Sequence, residues 1–292
     1  GGHGGVDEGA TRLLLEGHVW FDVVDREADW SRYRLLVLPD AIRADAALAA
    51  KLLAYVKGGG RVLATGASGL KAGSDEQVLD FGAEDAGASP FEPEYIVPRE
   101  PLAPWPRTAF VVYGAGRVLK LRGGTVLAER EVPYFNRAVG SFCSHQHTPN
   151  RRGAASPAVV AGPHGTWIAH PVCRLYVEKG QQVLRELFMH ALRRELPLQV
   201  ETSLPSAGRL TLMRQEALRR DVLHLLFATP SKRGNGVEVI EDLIPLADVE
   251  VAVRRAAKPS AVRLAPGGEA LPFTWADGRV RFTVPRLLCH QM

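Results

Sequence analysis

The chain has 292 residues, of which 46% are hydrophobic and 23% charged, and its formal net charge is +4 at pH 7. This composition is typical of a soluble globular protein, and the length is sufficient for two domains that each bury a core. The sequence contains no run of about 18 apolar residues, which argues against a helical membrane span. Its basic residues occur in short pairs and form no stripe, which argues against nucleic-acid binding.

The N-terminal segment carries neither the basic region nor the apolar region of a secretory signal, so we expect no signal peptide. Three cysteines, Cys143, Cys173 and Cys289, are too few for a disulfide framework. These two features predict a reducing compartment and a cytoplasmic location.

The first predicted element is a helix over residues 10–19, in which Leu13, Leu14 and Val19 follow a helical spacing. Gly17 suits the end of such a helix. The next segment, WFDVVD at 20–25, is a short strand candidate.

A strand, a helix and a second strand follow in close succession. The run YRLLVLPD at 33–40 predicts a buried strand, and RVLATG at 61–66 predicts the next one. Between them lies an amphipathic helix with Asp45 as its N-cap and glycines 58–60 at its end. This order predicts a βαβ crossover, and therefore a parallel sheet with helices on its faces.

Residues 71–155 are punctuated by prolines and are predicted to form an irregular insertion, with strand candidates at 108–114, 117–121 and 125–130. A hairpin is expected in 156–171, with its turn at Pro163, His164 and Gly165. The clearest helical pattern covers 180–196, where apolar residues recur every three or four positions.

The pattern changes near residue 198 to short alternating runs that are separated by turn residues, without a helical segment. Such a pattern is typical of a small antiparallel β-sandwich. We therefore predict an α/β domain over residues 1–197, with a flavodoxin-like three-layer architecture and a parallel sheet, and a β-sandwich domain over 198–292.

The segment SFCSHQHTP contains the chain's most concentrated set of metal-binding side chain types, Cys143, His145 and His147. An extended backbone would place all three on one side. A structural zinc site usually has four ligands, and no second motif supplies the rest, so the prediction for a cofactor is none. The alternatives are a weak metal site, a packed loop, and a surface that contacts another molecule.

Several segments resemble the β-galactosidase trimerisation domain, a non-catalytic module with a fold similar to class I glutamine amidotransferases. They are residues 13–69 and 165–196. Residues 133–149, 237–254 and 282–292 look like the corresponding and following regions of barrel-bearing hydrolases that are grouped with α-L-fucosidases. The resemblance implies a non-catalytic region of a glycoside hydrolase that acts on an α-L-fucoside or, second, a β-galactoside.

The resemblance also implies partners: a homotrimer, a catalytic (β/α)8 barrel in the full-length protein, and a carbohydrate. No barrel pattern is present, and the strand that normally opens the module is missing before residue 11. We therefore expect the chain to be the C-terminal piece of a longer enzyme, or a truncated copy. The alternative function is a stand-alone module that binds carbohydrate or metal.

No catalytic residue is predicted. Acidic pairs are scattered, and the turn at TGASGL lacks the G-x-S-x-G spacing of a nucleophile elbow. In related galactosidases the assembled trimer places part of the module near the mouth of a neighbouring barrel. By that resemblance, the candidates for an active-site rim or interface are Tyr134, Phe135, Asn136, Phe142, His145 and His147.

Overall fold

The computed structural model describes residues 4–292, so the first three residues of the predicted first domain lie outside the described residues. The chain divides into two compact units. One contains residues 4–13 and 23–197, and the other contains 14–22 and 198–292. None of the helices in the described part of the chain combines the length and the apolar character needed to span a bilayer.

Up to residue 197 the chain alternates helices with strands of one large and one small sheet. The elements are α1 (Gly4–Glu16), β1 (Leu35–Leu38), α2 (Ala46–Lys57), β2 (Arg61–Thr65), β3 (Ala83–Ala88), β4 (Glu94–Pro98), β5 (Phe110–Val112), β6 (Arg117–Leu121), β7 (Thr125–Pro133), β8 (Asn150–Gly162), β9 (Gly165–Ile168), α3 (Val172–Lys179) and α4 (Gln182–Glu195).

The predicted βαβ crossover is present. Asp45 caps α2, because its side chain accepts a hydrogen bond from the backbone N–H of Leu48 at 2.9 Å. Leu48 and Leu52 face the core, and the helix ends at Gly58. Strands β1 and β2 then pair in parallel.

The large sheet has the order β1-β2-β9-β8-β7-β4-β5 and is mixed, which corrects the prediction of a parallel sheet. Only the pairs β1–β2 and β2–β9 are parallel. The remaining strands are antiparallel because β8 and β9 form the predicted hairpin and β7 folds back on β8. Gly165 allows the turn into β9, since a Cβ at this position would lie 1.8 Å from the carbonyl oxygen of Val62.

One local prediction was incomplete and another was wrong. The strand candidates at 108–114, 117–121 and 125–130 are confirmed as β5, β6 and β7, but residues 71–155 also supply β3, β4 and the start of β8 and are therefore less irregular than expected. Prolines of this segment are accommodated at strand ends, such as Pro98 and Pro133. Residues 20–25 form no strand. Instead, the carboxylate of Asp25 accepts the backbone N–H groups of residues 27 and 28, which folds the chain into a turn.

The core of the first unit lies between the large sheet and its helices. Trp167 and Phe81 are completely buried there, with ring centroids 6.0 Å apart. Leu52 from α2 and Val62 from β2 pack into the same cluster. Each such side chain contributes roughly 2–3 kcal/mol by its removal from water.

The second unit is built mainly of short antiparallel strands. They are β10 (Val200–Thr202), β11 (Arg209–Gln215), β12 (Arg220–Leu226), β13 (Ser231–Gly234), β14 (Val237–Val239), β15 (Leu246–Arg254), β16 (Val262–Arg263), β17 (Ala270–Leu271), β18 (Phe273–Ala276), β19 (Arg279–Leu287) and β20 (His290–Gln291), with a short 3-10 helix at Glu216–Leu218.

The two principal sheets of this unit have the orders β10-β15-β19-β18 and β11-β12-β20. Side chains from both sheets form one hydrophobic cluster, which includes Val251, Val284, Leu210 and Leu225. The antiparallel strands predicted after residue 198 are therefore observed, and they enclose a core of their own.

Candidate functional site

The candidate residues lie on one excursion of the chain between β7 and β8. These strands pair from Thr125–Ala161 to Pro133–Asn150, so the connecting residues 134–149 leave and re-enter the sheet at the same place. We call residues 134–149 the arm. It contains all six residues proposed for an active-site rim or interface.

The base of the arm is fixed by hydrogen bonds, of which the bond from Tyr95 is buried. The Thr148 hydroxyl donates to the carbonyl of Phe135 at 3.2 Å, and the Tyr95 hydroxyl from β4 donates to the carbonyl of Thr148 at 2.5 Å. Asn136 uses both ends of its amide, donating to the carbonyl of Pro90 at 2.7 Å and accepting from the N–H of Glu92 at 3.0 Å. Asn136 therefore anchors the arm, rather than presenting a free amide at its surface.

The tip of the arm exposes apolar and aromatic side chains. Ala138 and Ser141 exchange two backbone hydrogen bonds, of 2.9 and 3.0 Å, and hold the tip in a tight turn. Val139 at this turn is fully exposed, and Phe142 is 71% exposed. Tyr134 is also exposed, and Phe135 is 36% exposed. Contiguous exposed apolar surface of this kind commonly marks an interaction site.

Two guanidinium groups lie over the aromatic rings of this region. The Arg137 carbon Cζ is 5.2 Å from the ring centroid of Phe142, and that of Arg151 is 5.6 Å from the ring centroid of Tyr134. These contacts cover part of each ring, and both rings remain exposed to solvent. No acidic residue occurs between residues 132 and 177, so the arm has a positive charge.

Cys143, His145 and His147 have different surroundings. The segment bends at residues 144–147, so the expected extended alternation does not apply. The Cys143 thiol donates to the backbone carbonyl of His145 at 3.4 Å, and His145 is exposed. His147 packs between the rings of Tyr95 and Tyr113, with centroids 6.1 and 5.7 Å away. Within residues 4–292, no group of three or more His, Cys, Asp or Glu side chains is arranged to hold a metal ion.

A buried polar network beneath the arm was not predicted. The Glu94 carboxylate of β4 accepts hydrogen bonds from Ser89 at 2.7 Å and from the Arg130 guanidinium of β7 at 2.6 Å. Its second oxygen accepts the N–H of Gly116 at 2.7 Å and pairs with Nε2 of His170 at 2.9 Å. The network therefore joins β4, β7 and the chain before α3 at a point fully removed from water.

Burial alone would raise the pKa of the Glu94 carboxyl. Hydrogen bonding to His170 and Ser89, together with the positive charge of Arg130 and of His170 when protonated, outweighs burial and lowers this pKa. Glu94 is therefore an anion that compensates the buried Arg130, which is only 5% exposed. The arrangement stabilises the sheet that carries the arm.

A second polar cluster lies at the carboxyl end of β1. Asp40 accepts a hydrogen bond from the Thr65 hydroxyl at 2.6 Å and the backbone N–H groups of Cys173 and Arg174 at 3.3 and 2.7 Å. Asp40 thus caps the N-terminus of α3. Burial raises the pKa of this carboxyl.

The cysteine beside Asp40 has no nucleophilic character in this environment. Cys173 is completely buried, and burial, followed by the charge of Asp40, raises the pKa of its thiol well above the ordinary value. Since the thiolate is the reactive form, the thiol at this position is inert at neutral pH. The other cysteines, Cys143 and Cys289, are partly exposed and unpaired.

The fold of the first elements corresponds to a known class of module. Residues 12–83 match the model of the β-galactosidase trimerisation domain family. This match covers β1, α2 and β2 and only the last five residues of α1, and it confirms the resemblance noted for the segment that begins at residue 13. No match is found among curated proteins.

A solved structure extends the similarity to almost the whole chain. The chain is similar to α-L-fucosidase isoenzyme 2 from Paenibacillus thiaminolyticus, with 44% sequence identity and a TM-score of 0.92. The similarity covers 99% of this chain and 44% of that one. The chain therefore corresponds to less than half of the fucosidase.

Two β-galactosidases share the fold at low identity. That from Bacillus circulans sp. alkalophilus gives a TM-score of 0.56 and 16% identity over 96% of this chain and 37% of its own. The cold-adapted enzyme from Rahnella sp. R3 gives a TM-score of 0.54 and 16% identity over 95% of this chain and 36% of its own.

Proposed function

We propose that the chain is the non-catalytic region of a longer glycoside hydrolase and that it assembles the subunits of that enzyme into a trimer. The observation that carries the proposal is the 44% identity to an α-L-fucosidase over 99% of this chain. The trimerisation-domain match over residues 12–83 supports the assembly role. A catalytic (β/α)8 barrel in the remainder of the longer protein is part of the proposal.

The activity proposed for the longer protein is hydrolysis of a terminal α-L-fucoside, with a β-galactoside as the second choice. This order follows the identities, which are 44% to the fucosidase and 16% to the galactosidases. A reducing, cytoplasmic location is also proposed. Its support is that Cys143, Cys173 and Cys289 all remain free thiols.

The arm is proposed to contact a neighbouring subunit, either at the trimer axis or at the rim of its active site. The exposed faces of Tyr134, Phe135 and Phe142 suit contact with a sugar ring or an apolar rim. His145 is exposed and adds a polar group next to them. Fixing such a loop beside a pocket would help to hold the substrate in reactive geometry.

The proposal is tested by native mass spectrometry and glycosidase assays on the chain alone and on the longer protein. We expect the chain to form trimers and to leave 4-nitrophenyl α-L-fucoside intact, while the longer protein hydrolyses it. Hydrolysis of a β-galactoside but not of the α-L-fucoside would favour the second choice, a β-galactosidase activity. A chain that is monomeric at every concentration would contradict the assembly role.

Binding of sugar by a monomeric chain would favour the alternative, a stand-alone carbohydrate-binding module. The exposed rings of Tyr134 and Phe142 are the feature that suits it. Calorimetric titration with L-fucose and D-galactose distinguishes the two functions, because the assembly proposal expects no binding to the isolated chain.

A further inference from the structure

The second unit carries two histidines that face each other across neighbouring strands. His224 lies in β12 and His290 in β20, and these strands pair through Leu225–Gln291 and Leu226–His290. Nδ1 of His224 and Nε2 of His290 are 3.1 Å apart, and the two rings are parallel to within 3°. His290 is exposed and His224 is half-buried, so the pair is open to solvent.

We propose that His224 and His290 form a binding site for a late divalent transition-metal ion such as Ni²⁺, Cu²⁺ or Zn²⁺. Imidazole nitrogen is a preferred ligand for these ions. With metal–nitrogen distances of about 2.0–2.1 Å, two nitrogens 3.1 Å apart subtend an angle of about 100° at the metal. This angle lies between the values of tetragonal and tetrahedral coordination. In the metal-free pair the two nitrogens face each other across their hydrogen bond, so binding requires both rings to turn about their side-chain bonds until their lone pairs point at the ion.

The protonation change on binding is small. In the metal-free pair one ring donates an N–H to the other, so one of the two facing nitrogens carries a proton. When the metal binds, that proton moves through solvent to the far nitrogen of the same ring, which is Nε2 of His224 or Nδ1 of His290. Both imidazoles stay neutral, no proton is released, and the oxidation state of the metal does not change. Water completes the coordination.

Metal binding at this position would stabilise the second unit. Strand β20 pairs with β12 over only two residue pairs, so little else on this strand joins it to the sheet of β12. A ligand that binds only the folded state raises the free energy of unfolding in proportion to the logarithm of its concentration. The site is independent of the proposed assembly function, because it lies on the β unit and not on the arm.

The test is calorimetric titration of the full chain with Ni²⁺, which avoids oxidation of the thiols of Cys143 and Cys289. We expect one ion per chain and a metal-dependent rise in the melting temperature. His224→Ala and His290→Gln should each weaken binding by at least tenfold and abolish the thermal shift. His290→Gln retains hydrogen-bonding capacity, and it serves if the alanine variant is poorly folded.

His145→Ala is the matched control, because it removes an exposed histidine from the other segment that contains metal-binding side chain types. It should leave the affinity unchanged. The proposal is overturned if the wild-type chain binds no Ni²⁺, if binding persists undiminished in both His224→Ala and His290→Gln, or if His145→Ala is the variant that loses it. In the last case the ion belongs to the arm.

Discussion

The hydroxyl of Tyr95 donates a 2.5 Å hydrogen bond to the backbone carbonyl of Thr148, 53 positions away in the sequence. Both residues are buried, with 7% and 3% of their surfaces exposed. This bond connects β4 to the returning end of the arm, and the Tyr95 ring also packs against His147. The position of the arm therefore depends on a side chain that lies outside it.

Replacing Tyr95 with Phe should release the arm without unfolding the first unit. The substitution leaves the Thr148 carbonyl without this donor, and the expected loss in the free energy of unfolding is about 1–2 kcal/mol. Limited proteolysis should show faster cleavage within residues 134–149. Tyr113→Phe is the control, because Tyr113 contacts His147 through its ring. Equal cleavage of both variants would contradict the anchoring role.

Glu94→Gln should destabilise the first unit strongly. The substitution removes the negative charge that compensates the buried Arg130 guanidinium, and breaking a buried pair in this way costs about 3–5 kcal/mol. Urea unfolding measures the difference. Glu84→Gln serves as the control, because Glu84 pairs with Arg122 at the exposed surface and its loss should leave the unfolding midpoint unchanged. Similar urea unfolding midpoints for Glu94→Gln and Glu84→Gln would mean that the buried network around Glu94 has no stabilising role.

Glu94 should also make the stability depend on pH in the acidic range. Its pKa in the folded protein is lower than the ordinary value of 4.5, so the unfolded chain binds this proton more readily. The stabilisation is therefore present above about pH 4.5 and is lost as the pH falls through the folded-state pKa. Urea unfolding at a series of pH values should show a shallower acid dependence in Glu94→Gln. An unchanged slope would assign the acid sensitivity to other carboxyls.

The exposed tip of the arm should matter for assembly and not for folding. Val139→Ser and Phe142→Ser each remove apolar surface that already faces water, so the melting temperature should remain within about 1–2 degrees of the wild type. If the chain forms the proposed trimer and the tip lies in its subunit interface, dissociation should begin at a higher protein concentration in both variants than in the wild type, as measured by analytical ultracentrifugation. Leu121→Ser, at an exposed position at the end of β6, is the matched control. A trimer that is equally stable in all three variants would exclude the tip from the interface.

In the proposed longer enzyme, the variants His145→Ala and His147→Ala distinguish between the two positions proposed for the arm. Contact with the active-site rim predicts a lower kcat/KM with the trimer intact. Contact at the trimer axis predicts weaker assembly. Turnover and assembly that are both unchanged would remove these histidines from the proposed site.

The sequence predicted those elements whose signals are local. Asp45 and the glycines at 58–60 delimit α2 because a cap and a stop act on the adjacent turn of a helix. The hairpin of β8 and β9 follows from Gly165 between two apolar runs. The mixed character of the large sheet was missed, because strand direction depends on contacts between distant segments.

The buried network could not have been predicted from one sequence. Glu94, Arg130 and His170 are widely separated along the chain. The local sequence around each of them does not distinguish it from a charged or polar residue at the surface. The arm was predicted from the family resemblance and from aromatic and imidazole residues that lie close together in the sequence. The different burial of His145 and His147 depends on Tyr95 and Tyr113, which belong to other segments.

Asp40 occupies the N-terminus of α3, a position that binds a ligand in many α/β proteins. In open α/β sheets, the helix N-terminus beside the carboxyl ends of parallel strands is a natural receptor for an anionic metabolite. Here the N–H groups of Cys173 and Arg174 receive a carboxylate from the chain itself. The protein supplies its own resident anion, so these two N–H groups are already occupied and this helix end is closed to a phosphate or carboxylate from solution.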